Sequence, residues 1–254
     1  RITNPLKKFG TKFKTNSGKL PIIIEGTKNP NAIKYNEAIG SAQVKSAVML
    51  AALNTNGVTK IKAAKSRDHS ERMFKNLKLP IKVKSKKNFD LIEVEGLKQF
   101  NAFDYIVPGD ISSSAFFIVL TILSNNSRIR IKNININKSR IGIITILKKM
   151  NCKISLKNKK IYKGEKIADI IIKSTQNIKS INCPSKFNSA AIDEFLLLFL
   201  VAAKAKGISH FKDLAELNQK ESPRLMWGSK ILTKMGIKNI VTKNDIKIYG
   251  NPNL

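Results

Sequence analysis

A chain of 254 residues suffices for one large domain or two modest ones, and 42% hydrophobic residues suit a protein with a buried core. Its longest apolar runs, 115–123 and 195–203, are about half the roughly 20 residues of a membrane helix, which argues against a membrane protein. The formal charge of +30 raises nucleic-acid binding, but only seven of the 47 basic residues are Arg, whose planar fork reads phosphate and guanine. The Lys are spread among many Ile and Asn, as an AT-rich codon bias produces, and no RNP box or zinc-finger spacing supports a nucleic-acid partner.

The chain opens on Arg1-Ile2-Thr3-Asn4-Pro5, neither an initiator Met nor a signal peptide, so it is expected to begin inside a longer protein. Cys152 and Cys183 are its only cysteines; they lack metal or redox spacing and suit a reducing, cytoplasmic setting. From Gly40 onward one pattern occurs three times, starting at Gly40, Gly109 and Ser189, about 70 to 80 residues apart. Each copy has a polar turn, a very apolar helix, a short strand, and a second helix with an Arg near its start.

In the first copy Ser41 is an N-cap candidate for the helix AVMLAAL, Val58–Lys62 reads as a strand, and ERMFKNL is an amphipathic partner. Gly96 ends a strand, and a polar linker near 97–105 leads into Val107-Pro108-Gly109-Asp110, so domains are expected at 1–98 and 99–254. The second copy carries AFFIVLTIL and the strand 129–132. Its Ser112-Ser113-Ser114 cluster reads as a cap and packing element. The third carries FLLLFLVAA and the strand 208–212. Apolar on nearly all sides, these first helices are expected to be surrounded by other structure. The fold expected is an inside-out α/β barrel of βαβαββ-type units, with sheets wrapped round central helices. Arg67, Arg140 and Arg224 occupy matching places; for Arg140 the expected role is closing a carboxylate or a helix end.

The runs SAQVKSAVMLAALN, SRDHSERM, VPGDISSSAFF, AIDEF and QKESPR, in that order, resemble the EPSP synthase family of enolpyruvyl transferases over nearly the whole chain. The KES-x-R run separates it from the sister family that acts on UDP-N-acetylglucosamine. The resemblance implies transfer of the enolpyruvyl group of phosphoenolpyruvate to the 5-hydroxyl of shikimate 3-phosphate, by addition and then elimination of phosphate. It implies no metal or organic cofactor, a monomer at full length, and small-molecule partners only.

By the same resemblance Ser41, Ala42 and Gln43 hold the shikimate phosphate at a helix N-terminus, Gln43 also reaching phosphoenolpyruvate, and Arg67 contacts that phosphate. Asp193, placed in the first turn of the third apolar helix, takes the hydroxyl proton. Lys220 neutralises charge near the ligands, and Glu221 shuttles the proton at C3. Arg224, three residues beyond Glu221 on the same helical face, grips phosphoenolpyruvate. Asn218-Gln219 and Pro223 depart from the family's usual residues. The chain is expected to be a central portion lacking both ends, silent by itself, and exposing apolar helix surface around 48–53.

Overall fold

The computed structural model describes residues 1–219 and 222–254, which form two compact units, 1–105 and 106–254. Unit one opens with helix α1 (Thr3–Lys8) and the antiparallel hairpin β1 (Lys12–Asn16) and β2 (Lys19–Glu25). Strand β3 (Lys34–Glu37), helix α2 (Ala42–Leu53), β4 (Val58–Ala64), helix α3 (His69–Asn76), β5 (Ile81–Ser85) and β6 (Phe89–Glu95) follow. Their sheet has the order β3-β4-β6-β5, with β3 parallel to β4 and the other pairs antiparallel. Alternation along β4 sends Thr59, Ile61 and Ala63 inward, and Ile61 and Ala63 share a core with Val48, Met49 and Ala52 of α2.

Unit two repeats the plan twice. Helix α4 (Ile111–Leu123), β7 (Arg128–Asn135), α5 (Gly142–Lys149), β8 (Ile154–Tyr162) and β9 (Glu165–Lys173) give the sheet β7-β9-β8. A parallel bridge from Gly109 to Ile134 stands where a first strand would. Then β10 (Asn182–Cys183), α6 (Phe195–Ala203), β11 (Gly207–Phe211), α7 (Arg224–Lys234), β12 (Asn239–Val241) and β13 (Ile246–Gly250) give the order β10-β11-β13-β12. Parallel first pair and antiparallel remainder match the sheet of unit one strand for strand. The core of unit two centres on Phe195, Phe199 and Phe211, whose ring centroids lie 5.3 to 6.1 Å apart.

Two glycines are fixed by close approach. A Cβ on Gly96, at the end of β6, would stand 1.9 Å from the Thr55 carbonyl oxygen and 2.2 Å from that of Ala52. At the corresponding end of β13, a Cβ on Gly250 would stand 2.0 Å from the Ala205 oxygen. In both repeats the next residue ties the strand to the helix end: Leu97 N–H donates to the Leu53 carbonyl and Asn251 N–H to that of Ala203.

The expectation that the first helices are covered on all sides needs correction. Helix α6 has no exposed residue, but α4 packs on α6, β7 and β9 and leaves Phe116, Phe117 and Leu120 at 64, 58 and 64% exposure. A sheet covers one flank and one helix a second, so the third stays open within the unit. In α2 the expected apolar surface over 48–53 reduces mainly to Leu50, because Val48, Met49 and Ala52 face the sheet.

The β7-β9-β8 sheet also contains a buried carboxylate with a clear task. Bulges interrupt β7 between Ile131 and Ile134 and β8 between Lys157 and Lys160, with Asn133 and Asn158 at positive φ. Asp169 on β9 accepts from Arg130 Nη2 (2.6 Å), the Asn133 amide (2.9 Å) and Asn158 Nδ2 (2.8 Å). These donors, Arg130 first, hold its carboxyl down at about 2. A carboxyl depressed by folding contributes stability above its unfolded value, which is lost as pH falls through the folded one. Thermal unfolding followed between about pH 4 and pH 2 should therefore show a fall in Tm that Asp169→Asn makes shallower. An identical slope in the variant would remove Asp169 from the account.

Candidate functional site

Expected site residues fall in both units, and each group stands on its own local geometry. In unit one, Gly40 turns the chain into α2 at φ +82°, and a Cβ there would meet the Lys65 carbonyl at 3.2 Å. Glu37, buried, accepts from the amides of Ile39 (3.1 Å) and Gly40 (2.8 Å) and fixes this turn. Ser41 caps α2, its Oγ accepting from the Val44 amide at 3.3 Å. Helix geometry leaves the amides of Ala42 and Gln43 without intrahelical acceptors, at the positive end of the dipole.

The turn of Gly40 lies against the segment 65–68 that joins β4 to α3. Ser66 Oγ in that segment is buried and makes no hydrogen bond among the described residues. Beside it stands Arg67, half-buried. Asp68 occupies the N-cap position of α3 without capping it, and binds Arg72 Nε at 2.9 Å instead. The sequence reading passes over Ser66; a hydroxyl next to a scarce Arg was the available signal. It also passes over Lys45, the single charged residue in SAQVKSAVMLAAL. Lys45 is wholly buried and donates through Nζ to Glu71 Oε1 (2.7 Å) and to the Arg67 carbonyl (2.8 Å).

In unit two the expected place of Asp193 needs correction. Helix α6 begins at Phe195 with Glu194 as N-cap, so Asp193 lies in the turn ahead of the helix and not in its first turn. That turn lets its carboxylate accept from Arg224 Nη1 at 3.1 Å, with both side chains still reaching solvent. A second correction concerns Arg224. It is the first residue of α7, and Pro223 (ψ 76°) precedes it outside the helix, so the helix that carries Arg224 does not extend back through 223. Lys220 and Glu221 themselves lie outside the described residues.

Arg140 closes a carboxylate, as expected. Its Nη2 donates to Asp110 Oδ1 (2.6 Å) and to Ser112 Oγ (2.7 Å). Asp110 caps α4 by accepting from the Ser113 amide at 3.0 Å, and Ser112 Oγ donates to buried Glu194. Burial alone would raise the Asp110 carboxyl, but the Ser113 amide and the Arg140 guanidinium leave it below its ordinary value. The triple-serine cluster is thus tied into a cap and a helix–helix contact. Among the described residues no group of three or more His, Cys, Asp or Glu could hold a metal ion, and no helix is long and apolar enough to cross a membrane.

The family model described as EPSP synthase (3-phosphoshikimate 1-carboxyvinyltransferase) matches residues 1–253. A 3-phosphoshikimate 1-carboxyvinyltransferase of Ruthia magnifica subsp. Calyptogena magnifica is 44% identical over 251 residues, 98% of this chain and 57% of the relative. One from Petrotoga mobilis is 38% identical over 255 residues, 99% of this chain and 58% of its own. The solved EPSP synthase of Acinetobacter baumannii matches with a TM-score of 0.85 at 36% identity, over 98% of this chain and 56% of that one. The enolpyruvyl transferase NikO of Streptomyces tendae, at 12% identity and a TM-score of 0.72, shares the fold. The chain spans 57 to 58% of the length of these two curated relatives.

Proposed function

We propose, from the premise that this chain belongs to the EPSP synthase family, that the protein carrying it transfers enolpyruvate from phosphoenolpyruvate to shikimate 3-phosphate. The 5-hydroxyl oxygen attacks C2 of phosphoenolpyruvate while C3 gains a proton. The tetrahedral adduct then loses phosphate from C2 and a proton from C3, which restores the double bond. One observation supports this reading above the others: the amide-bearing start of α2 lies against the segment that carries Arg67 and the buried hydroxyl of Ser66, which has no hydrogen-bond partner among the described residues. A phosphate monoester offers acceptors to the Ser66 hydroxyl and to the free amides of the helix start.

In this reading Ser41, Ala42, Gln43 and Arg67 bind the shikimate phosphate, with Ser66 added from its unsatisfied hydroxyl. Asp193 takes the proton of the attacking hydroxyl. Its present partner Arg224 is the cation for phosphoenolpyruvate, so a substrate anion would compete with Asp193 for the guanidinium. Lys220 and Glu221 keep the roles that the family motif implies, charge neutralisation and proton transfer at C3. The setting proposed is the cytoplasm, with a monomer at full length. Two buried free thiols, Cys152 and Cys183, pushed up by burial to about 12 and about 11, suit a reducing compartment.

The test is phosphate release by the gene product that carries this chain, given both substrates. Release is expected with shikimate 3-phosphate and none when UDP-N-acetylglucosamine replaces it; the reverse pattern would overturn the reading. Arg67→Lys should raise the Kd for shikimate 3-phosphate about tenfold, since a point charge does not replace a two-pronged donor. An unchanged Kd by calorimetry would reduce Arg67 to a structural residue.

A further inference from the structure

We infer that Lys45 and Glu71 form a buried clamp that positions Arg67, and so sets the affinity of the protein for a phosphate monoester; this rests on the reading in which Arg67 grips the substrate phosphate. Lys45 sits in the first turn of α2, its amide donating to the Ser41 carbonyl at 3.0 Å. Its ammonium reaches across to α3 and to the segment before it, contacting Glu71 Oε1 at 2.7 Å and the Arg67 carbonyl at 2.8 Å. Ser46 Oγ and Ser70 Oγ, 2.6 Å apart, tie the same two helices one residue further along. Lys45 therefore spans from the helix that offers free amides to the backbone of the Arg expected to share their ligand.

The arrangement is a poor device for stability alone. Both side chains are almost fully withdrawn from water, and Glu71 Oε2 is buried with no donor among the described residues. A buried ion pair with an orphan oxygen recovers little of its desolvation cost, and an apolar pair of similar volume packs as well. What only a charged donor supplies is a fixed hydrogen bond onto the Arg67 carbonyl. Sites that bind by convergent groups lose much of their strength when one group moves by about an ångström.

The experiment removes both charges together, so that neither is left buried alone. Lys45→Met/Glu71→Leu replaces the pair with apolar side chains, and Lys45→Gln/Glu71→Gln with neutral polar ones too short at position 45 to reach the carbonyl. Calorimetry with shikimate 3-phosphate should give a Kd about tenfold weaker for both, the scale of one lost charge-assisted hydrogen bond. The loss should be alike in the two although their Tm values differ, and absent when the pairs are placed in an Arg67→Ala background. Affinity that follows Tm instead, or a loss that persists without the Arg67 side chain, overturns the clamp. Wild-type affinity in both pair variants while Arg67→Ala binds weakly also overturns it. If Arg67→Ala itself binds normally, the phosphate reading of Arg67 has failed, and the clamp with it.

Discussion

Asp193→Asn in the phosphate-release assay is expected to lower kcat by about a hundredfold to ten-thousandfold, the range for loss of a general base. The amide keeps the shape of the side chain and an oxygen able to accept from Arg224, but it loses the negative charge and with it the capacity to take a proton. Both partners of the 3.1 Å pair retain access to water, and an ion pair of that kind contributes about 0–1 kcal/mol to stability. Tm should accordingly stay close to its original value, and KM for shikimate 3-phosphate should move less than kcat. Glu221→Gln is expected to do the same through the proton at C3. Near-normal kcat in both variants would sink the assignment of the proton-transfer groups.

Gly96→Ala should be the most damaging single methyl in unit one. Its Cβ would stand 1.9 Å from one backbone oxygen and 2.2 Å from another, and neither oxygen can swing aside as a side chain would. Relief requires β6 to part from the end of α2, across the contact that unites sheet and helix. A cost above about 3 kcal/mol is expected, at the level of severe core overpacking, read as a fall in the urea midpoint or as insoluble protein. Gly26→Ala is the control. No atom lies within 4 Å of its Cβ, and the same methyl there should change stability by less than about 1 kcal/mol. Equal effects at the two positions would show the close approach at Gly96 to be inconsequential.

Much of the repeat was legible because it rests on local rules. Apolar helices announced themselves by composition. The strands 58–62, 129–132 and 208–212 fall within or almost within β4, β7 and β11, since β-branched residues between polar turns mark a strand. Arg140 meeting Asp110 followed from an Arg set near a helix start. Other features depend on partners far along the chain. Nothing near Lys45 in sequence points to Glu71, so a lysine amid apolar residues reads as a surface position that interrupts the pattern. Asp193 went to the first turn of a helix because a carboxylate there suits the dipole; the helix begins two residues later, after Glu194 takes the cap. The hairpin of β1 and β2 was not anticipated, although Asn16-Ser17-Gly18 is a turn signal between extended runs.

The matched strand orders carry a consequence for how the chain is made. Every pairing in the first four-stranded sheet lies between Lys34 and Glu95, and the β7-β9-β8 sheet and the last sheet close within Arg128–Lys173 and Asn182–Gly250. No strand in these sheets waits for a partner from another repeat. At about 5–20 residues per second a ribosome delivers each set within some seconds, and domains that pair locally fold in the order in which they emerge. Loop-closure entropy is paid over short spans, which favours fast pairing. Synthesis from the amino end would then leave one finished sheet at a time. Phe116, Phe117 and Leu120, which the later repeat leaves exposed, form a sticky apolar surface on the emerging chain, and that face is where a chaperone is expected to bind.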